Sequence, residues 1–308
     1  MAIPDLFDLS DSTIIVTGGS GGLGLQLIRA ILQRGADVAC IDYNATMSAE
    51  LELLTSEHER SLVYHACDVT DADAIGSVVH TISKAARHPI KGLVTCAGIP
   101  LEGPAIETSM AKVRRQIEVN LIGTMICAQA VARVVKAQGH AASFVLIGSM
   151  SGHIVNTDVS VAVYAASKAG VIQLARNLAA EWGRGGAPIR VNTISPGYIK
   201  TPMLALKLNE EREAKWSEQN MLGRWSKPEE DSEDGWLEIP ASPLSSRAAS
   251  GGGFPRRLHE KWSDESLSRS LKYPSLGGSE PTEFVEKRST SAKAQRLHWR
   301  AGQNPASS

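Results

Sequence analysis

A chain of 308 residues with 43% hydrophobic and 21% charged residues has the composition of an ordinary globular protein. Its formal net charge of -1 provides no electric field that would gather nucleic acid or anionic lipid, so neither is expected as a partner. The sequence shows no basic, apolar leader and no run of about 18 apolar residues, and we expect a cytoplasmic protein that does not span a membrane.

The cysteines indicate a reducing compartment and no metal centre. Each lies in an apolar run, and together they form neither a CxxC motif nor a pattern with metal-ligand spacing. We therefore expect small core residues rather than disulfides or redox groups. The four positions are Cys40, Cys67, Cys96 and Cys127.

Strand-like and helix-like segments alternate through the first two-thirds of the chain. Short apolar segments predict strands at Thr13–Val16, Asp37–Ile41, Leu62–Ala66, Gly92–Thr95, Phe144–Ile147 and Ile189–Ile194. Apolar residues at helical spacing predict helices at Leu23–Gln33, Ala72–Ala86, Met110–Ala137 and Tyr164–Trp182. Apolar strands separated by helices indicate an α/β fold with a doubly wound parallel sheet, the Rossmann arrangement.

The composition changes abruptly near Lys227. From there to the end, serine, arginine, glutamate, glycine and proline are abundant, and apolar residues are too sparse to bury much surface. We therefore predict a single folded domain over residues 1–228, followed by an atypical low-complexity tail at 229–308 that is disordered.

A glycine-rich loop joins the first predicted strand to the first predicted helix. Backbone N–H groups at a helix N-terminus are unpaired and carry partial positive charge, and glycine lets the backbone approach a pyrophosphate closely. Five glycines can also make an ordinary turn, but a position between strand and helix favours a dinucleotide site. The loop spans Thr17 to Gly24, and its predicted cofactor contacts are Gly18, Ser20, Gly22, Leu23 and Gly24.

Two acidic residues follow predicted strands and would face the adenosine half of a dinucleotide. Asp42 ends the second strand, where a carboxylate accepts hydrogen bonds from ribose hydroxyls and repels a 2′-phosphate. It favours NAD(H), with NADP(H) as the alternative. Asp68 and Val69 follow the third strand and would lie beside the adenine, although Asp68 could instead be the N-cap of the helix beginning at Ala72.

Tyr164 and Lys168 stand four residues apart on one predicted helix, so their side chains share a face. A free tyrosine titrates near ~10 and is a poor acid/base at neutral pH, but an adjacent ammonium favours the phenolate. With a nicotinamide adding positive charge, we expect a pKa of Tyr164 low enough for proton exchange with a substrate oxygen. A pair at this spacing is also common on helix surfaces, so its neighbours decide its meaning.

Six motifs in order resemble those of the short-chain dehydrogenase/reductase family, between Leu9 and Glu230. The resemblance implies an oxidoreductase that interconverts an alcohol and a carbonyl with NAD(H) or NADP(H), acts on a small-molecule substrate, and assembles as a dimer or tetramer. The motifs are the loop Thr17–Gly24, Cys96-Ala97-Gly98 after the fourth strand, Asn120 in Glu118-Val119-Asn120, Ser149, the Tyr164/Lys168 pair and Ser195-Pro196-Gly197.

The resemblance also implies roles for individual residues. Ser149 would hydrogen-bond the substrate oxygen, Tyr164 would be the acid/base, and Lys168 would lower the tyrosine pKa and hold the nicotinamide ribose. Asn120 would position a water that relays protons from Lys168, the alternative being a helix kink or a buried amide. The cofactor would further contact Ala97, Gly98, Pro196, Gly197, Ile199 and Thr201.

Two details depart from the family's common pattern. Thr95 and Cys96 stand where two asparagines are usual, which removes two amides from the cofactor loop. The stretch between the catalytic serine and tyrosine is slightly longer than usual and resembles fungal polyol and ketose reductases, of the mannitol dehydrogenase and sorbose reductase types. Ser151 is therefore an alternative to Ser149, and His153 lies either in the substrate pocket or in a loop without a catalytic role.

The resemblance stops after Glu230, where family members continue with a helix, a final strand and a glycine-rich end. The strand Ile189–Ile194 would then have an uncovered edge. An alternative function is consequently a nucleotide-binding but catalytically impaired member, and a dehydratase or epimerase using the same tyrosine is a third. The loop Met203–Asn220 does not identify the substrate, since sugars, polyols, ketones and secondary metabolites all fit its mixed polarity.

Overall fold

The computed structural model describes residues 8–156, 159–201, 210–220 and 223–227, which all fall in one structural unit. The tail predicted at 229–308 lies outside the described residues, as does the first part, 203–209, of the predicted substrate loop.

Within the described ranges, six strands form one parallel sheet in the order β3-β2-β1-β4-β5-β6. The chain crosses from one half of the sheet to the other between β3 and β4, which is the doubly wound arrangement. This confirms the predicted fold class and all six predicted strands. Their bounds are β1 Thr13–Thr17, β2 Asp37–Asp42, β3 Leu62–Ala66, β4 Ile90–Thr95, β5 Ala142–Ile147 and β6 Ile189–Ile194.

Helices cover both faces of the sheet. Because successive strand residues point to opposite faces, Ile14 and Val16 of β1 join one buried cluster and Ile15 joins the other. The first cluster includes α1 and α2, and the second includes α3, α5 and α6. The helices are α1 Gly22–Gln33, α2 Ala49–Glu57, α3 Ala72–Ala85, α4 Met110–Ile117, α5 Gly123–Gln138, α6 Ala162–Trp182 and α7 Glu210–Gln219.

The structure corrects the sequence prediction at two helices. Helix α2 was not predicted, because only Leu51 and Leu54 of its nine residues are buried and no apolar stripe marks it. The single helix predicted at Met110–Ala137 is interrupted, since a π-helical stretch at Glu118–Ile122 separates α4 from α5. Asn120 lies at the centre of that stretch, which bears directly on its role.

The continuous helical stretch Met110–Gln138 is long and apolar enough to cross a membrane by length and composition, contrary to the expectation from the sequence. It packs in this fold as a core helix, however. Cys127, Val131 and Val135 are buried in the cluster that also contains strand residues, and 44% of the apolar window is buried. Its hydrophobicity is therefore explained by packing against the sheet.

Candidate active site

The glycine loop after β1 is a tight turn in which two glycines have no room for a side chain. Gly18 has a φ of +70°, and a Cβ there would lie 2.6 Å from the backbone nitrogen of Ala97. A Cβ on Gly24 would collide with the carbonyl oxygen of Gly18. Gly18 N donates to Ile41 O at 2.8 Å, so the loop is held against the end of β2. Both glycines are required by the close approach of backbone to backbone.

The start of α1 is open in the way a pyrophosphate site requires. Gly21 is the N-cap, has no side chain to cap the helix, and a Cβ there would meet no atom within 4 Å. The first turn, which includes Gly22 and Leu23, contains no acidic residue. The free N–H groups and partial positive charge of this helix end therefore suit an anionic group, and the residues fit the predicted dinucleotide.

Asp42 lies at the end of β2 beside the glycine loop, as predicted. Its carboxylate is 9% exposed and accepts hydrogen bonds from Ser20 N at 2.9 Å and Asn44 N at 3.2 Å. Its backbone oxygen accepts from Cys67 N at 2.7 Å, which ties the ends of β2 and β3 together. The structure thus brings Ser20 and Asp42 into direct contact at the adenosine end of the site.

Asp68 is not the cap of α3; Asp71 is, because its carboxylate accepts from Ala74 N at 2.9 Å. Asp68 instead accepts from both the N–H and the hydroxyl of Thr70, at 2.9 and 2.8 Å. Its second oxygen lies 3.2 Å from Nη2 of Arg115, on α4.

The charge on Asp68 is stabilised by this network. Burial alone would raise the pKa of Asp68, but hydrogen bonds from Thr70 and Arg115 together with the Arg115 charge bring it below its ordinary value. Arg115 was missed from the sequence, since 47 residues separate it from Asp68. Val69 is buried next to it and contacts Gly123, where a Cβ would lie 2.8 Å from Val69 Cγ2.

Ser149 and Tyr164 lie close enough for the Ser149 side chain to act on the Tyr164 hydroxyl, and this interaction opposes a rise of the tyrosine pKa. Ser149 is 8% exposed, lies just after β5, and its hydroxyl also accepts from Ser151 N at 3.2 Å. Tyr164 is in the first turn of α6. Of the two candidate serines, Ser149 is thus the one that the described contacts join to the tyrosine.

Lys168 is buried one turn further along α6. Its Nζ donates to Ile147 O at 2.8 Å and lies 5.9 Å from the centroid of the Tyr164 ring. Burial lowers the pKa of Lys168 from 10.5 to about 8. Burial raises the pKa of Tyr164 although the Ser149 hydrogen bond opposes the shift. In the protein chain alone, removal from water outweighs the neighbouring groups, and the lowering of the tyrosine pKa expected with a bound nicotinamide stays a prediction.

Asn120 is completely buried and links three parts of the site. Its Oδ1 accepts from Ile99 N at 2.8 Å, and its Nδ2 donates to Ile99 O and to Ser167 Oγ, each at 3.1 Å. Ser167 in turn donates to Tyr164 O at 2.7 Å. Both amide hydrogens are thus used in holding the loop after β4 to the catalytic helix. The proton-relay role predicted for Asn120 stays a prediction.

The loop after β4 closes against the glycine loop through Thr17. Cys96 N donates to Thr17 O at 3.0 Å, and Ala97 N donates to its hydroxyl at 3.3 Å. A Cβ on Gly98 would lie 3.7 Å from Lys168 Nζ, so Gly98 faces the side chain of Lys168. These contacts anchor the loop without the two amides that Thr95 and Cys96 replace.

Cys96 behaves as a buried thiol rather than a nucleophile. Burial raises its pKa to about 12, and the nearby positive charge of Lys168 offsets only part of that effect. Cys40, Cys67 and Cys127 are free and buried. Among the residues that the structure describes, no group of three or more His, Cys, Asp or Glu side chains could hold a metal ion.

The segment after β6 runs beside the loop that carries Ser149. Ser195 is fully buried, and the predicted cofactor contacts Pro196, Gly197, Ile199 and Thr201 follow it. Hydrogen bonds join Gly148 N to Ile194 O (2.7 Å), Met150 N to Pro196 O (2.9 Å), His153 Nε2 to Ser195 Oγ (3.0 Å), and Asn156 Nδ2 to the Tyr198 hydroxyl (3.2 Å).

His153 therefore lies in this contact between two loops. Its pKa is lowered by burial and, to a smaller extent, by the charge of Arg176, so the ring is neutral near pH 7. Its described hydrogen bond is to Ser195, and the choice between a loop histidine and one in the substrate pocket stays a prediction. The sequence offered no signal for the bonds from His153 or Asn156, since their partners are 42 residues away.

Residues 12–212 match the family model described as short chain dehydrogenase. The chain belongs to the short-chain dehydrogenase/reductase family. It is accordingly an NAD(P)-dependent oxidoreductase that acts on a CH–OH group, as the sequence motifs predicted.

This dehydrogenase is similar to a short chain dehydrogenase/reductase, notP', of Aspergillus versicolor, at 43% identity over 237 residues covering 75% of this chain and 81% of that protein. D-arabinitol 2-dehydrogenase (ribulose-forming) of Candida tropicalis is 36% identical over 238 residues, covering 73% and 84%. A short-chain type dehydrogenase/reductase crystal structure from Mycobacterium marinum aligns with a TM-score of 0.70 at 32% identity, covering 80% and 94%. The predicted resemblance to fungal polyol enzymes is confirmed.

Proposed function

We propose that this dehydrogenase interconverts a secondary hydroxyl of a polyol and the corresponding ketone, with Tyr164 as acid/base. The contact between Ser149 and Tyr164, beside the Lys168 ammonium, carries this proposal. The polyol class is supported by the similarity to the D-arabinitol dehydrogenase. The neighbouring hydroxyl groups of Ser149 and Tyr164 could both bind one substrate oxygen, as the interconversion of an alcohol and a ketone requires.

In ketone reduction, the Tyr164 hydroxyl gives its proton to the carbonyl oxygen while the carbon gains a hydride. The raised pKa of Tyr164 keeps it protonated at neutral pH, which suits this direction. Ser149 donates a hydrogen bond to the same oxygen as negative charge develops there. The nicotinamide, when bound, supplies the hydride or accepts it in the reverse reaction. In alcohol oxidation, Tyr164 takes the hydroxyl proton, and a bound cationic nicotinamide would favour its phenolate.

Lys168 would hold the nicotinamide ribose and return a proton to Tyr164 after each turnover. Its lowered pKa of about 8 suits proton exchange near neutral pH. We propose NAD(H) as the preferred cofactor, because the buried Asp42 carboxylate stands beside the glycine loop, where it would repel a 2′-phosphate. NADP(H) is the alternative, and fluorescence titrations of the protein with NADH and with NADPH would distinguish the two cofactors.

A homo-oligomer is part of the proposal. Large apolar side chains are exposed around α4 and the start of α5, where Ile106 is 95%, Met110 59% and Ile122 41% exposed. A dimer or tetramer would cover such a surface. Light scattering would give the assembly mass, and a monomer at micromolar concentration would contradict this point.

The test of the chemistry is Tyr164→Phe, which removes one hydroxyl and keeps the ring. Turnover of a panel of polyols and ketoses, followed by NADH absorbance, should fall by about 10²- to 10⁴-fold while NADH affinity stays within about twofold. Tyr43→Phe removes the same group from an exposed residue and is the matched control. Full turnover by Tyr164→Phe would contradict the mechanism. NADH binding by the natural chain without turnover on any panel member would favour the catalytically impaired alternative.

A further inference from the structure

Three aromatic rings form a stack beside the segment that follows β6. Tyr198 lies parallel to Trp216, with ring centroids 4.3 Å apart and an interplanar angle of 7°. Trp225 completes the stack, with centroids 5.4 Å from both other rings. Trp216 and Trp225 are each 2% exposed. The stack therefore attaches α7, which carries Trp216, to the segment after Gly197.

The residues beside Trp225 and helix α7 are also hydrogen-bonded or ion-paired to the segment that follows β6. Ser226 N donates to Tyr198 O and Lys200 N donates to Ser226 O, both at 3.0 Å, so the residues beside Trp225 pair with 198–200. Lys200 also contacts Glu213 of α7 at 2.5 Å. Tyr198 is thus the point at which α7 and the segment 223–227 meet the cofactor-side backbone.

The Tyr198 hydroxyl is in turn bound by the loop that carries Ser149. Asn156 Nδ2 donates to it at 3.2 Å. The Met150–Pro196 hydrogen bond lies a few residues upstream on both segments, so the two loops run together from the catalytic serine to the aromatic stack. Asn156, which lies on the loop that carries Ser149, is consequently linked to α7 through Tyr198.

We propose that Asn156 is a positioning residue for substrate binding, which acts by fixing Tyr198 and through it α7 relative to the loop of Ser149. The proposal rests on the proposed function for its kinetic part. Asn156 need not touch the substrate. Loss of its hydrogen bond lowers the fraction of molecules in which α7 is correctly placed, and the apparent dissociation constant of the substrate rises as the inverse of the fraction that remains.

The structural arm of the test is hydrogen exchange of the full chain, measured by mass spectrometry. One hydrogen bond stabilises by an amount that corresponds to about threefold to tenfold in a local opening equilibrium. Asn156→Ala should therefore speed amide exchange in 210–220 by about that factor, while exchange in β1 and β5 stays unchanged. Asn177→Ala, the same substitution at an exposed position of α6, is the control and should leave 210–220 unaffected.

The kinetic arm separates positioning from catalysis. Asn156→Ala should raise the substrate KM by no more than the factor seen in exchange, about threefold to tenfold, with kcat and the NADH dissociation constant each within about twofold. Tyr198→Phe keeps the ring stack and removes only the hydroxyl, so it should reproduce both effects. The double variant should be no worse than Tyr198→Phe alone, because Tyr198→Phe already removes the bond that Asn156→Ala removes.

Unchanged exchange in 210–220, or single-variant effects that multiply in the double variant, would overturn the proposal. An equal KM effect in Asn177→Ala would overturn it as well. If the natural chain turned over no alcohol or ketone, the proposed function would fail by itself. The exchange arm would then still decide whether Asn156 positions α7.

Discussion

The glycine loop follows β1 and helix α6 follows β5, so both lie on the side of the sheet where the parallel strands end. The two regions differ in what they require of their residues. The loop depends on missing side chains, since Gly18 and Gly24 leave no room for a Cβ. Helix α6 depends on side chains, since Tyr164 and Lys168 are both shifted in pKa by burial. The nucleotide end is thus defined by backbone shape and the catalytic end by the solvation of two titratable groups.

This difference decides how each end fails. A substitution in the loop acts through steric overlap and strain, and its effect should not depend on pH. A substitution in α6 acts through proton binding, and its effect should change with pH. The four predictions below test that distinction, beginning with the largest expected effect.

Gly18→Ala should be the most damaging change at the nucleotide end. An alanine at φ +70° is strained, and its Cβ would overlap the backbone at Ala97, so we expect a loss of about 3 to 5 kcal/mol of unfolding free energy. NADH affinity should fall by at least about 100-fold, because the turn can no longer form.

Gly21→Ala is the matched control, since its φ is −117° and a Cβ there meets no atom within 4 Å. Chemical denaturation and NADH fluorescence titration measure the two effects. Equal behaviour of the Gly18 and Gly21 variants would contradict a loop defined by close backbone approach.

Lys168→Met should reveal the pH dependence of the catalytic end. The pKa of Lys168 is 10.5 in the unfolded reference and about 8 in the fold, so the unfolded chain holds more protons between these values. The stability contribution of this lysine is therefore complete above pH 10.5 and is lost as the pH falls through about 8. The natural chain should gain on the order of 3 kcal/mol relative to the variant from pH 7 to 10.5.

Urea denaturation across this pH range measures the difference, and Lys112→Met, at an exposed position of α4, is the control. A constant difference between the natural chain and the Lys168 variant would show that Lys168 is not desolvated.

Asp42→Ala should change cofactor preference more than stability. It removes the acceptor of Ser20 N and Asn44 N and the charge that opposes a 2′-phosphate. The ratio of NADPH to NADH affinity should rise about tenfold, which corresponds to about 1.4 kcal/mol. Asp73→Ala, an exposed acidic residue of α3, controls for net charge. An unchanged ratio of NADPH to NADH affinity in fluorescence titrations would contradict a role of Asp42 in the preference for NAD(H).

Arg115→Ala should have the smallest effect. Its ion pair with Asp68 is partly exposed, and such pairs contribute about 0.2 to 1 kcal/mol. We expect about a twofold to threefold weaker NADH affinity with unchanged kcat, because only the adenine side is loosened. Arg114→Ala removes the same charge from the neighbouring exposed position. If the two variants bound NADH with the same affinity, Arg115 would have no specific part in cofactor binding.

The sheet was predictable because its signals are local. Apolar segments such as Leu62–Ala66 and Ile189–Ile194 have the predicted bounds, and the glycine loop lies where the strand-to-helix junction placed it. Helix α2 was missed because a helix with few buried residues lacks an apolar stripe. Intrinsic propensity alone is a weak guide in such cases.

The site was only partly predictable, since its key contacts join distant segments. Ser149 and Tyr164 could be named from motifs, but the Asn156–Tyr198 bond spans 42 residues and leaves no periodic signal. The rise that burial causes in the pKa of Tyr164 was also not foreseen, because a sequence shows which charges are near but not how completely water is excluded.

The π-helical stretch Glu118–Ile122 has a consequence for how this chain tolerates changes in length. A wider turn accommodates an additional residue, and each residue advances a regular helix by about 100°. The stretch therefore sets how far the side chains of α5 are rotated about the helix axis relative to those of α4. A one-residue deletion there would restore a regular helix and rotate Asn120 away from Ile99 and Ser167. Insertions and deletions in this part of the gene should be far more harmful than in the solvent-exposed turn at 184–187.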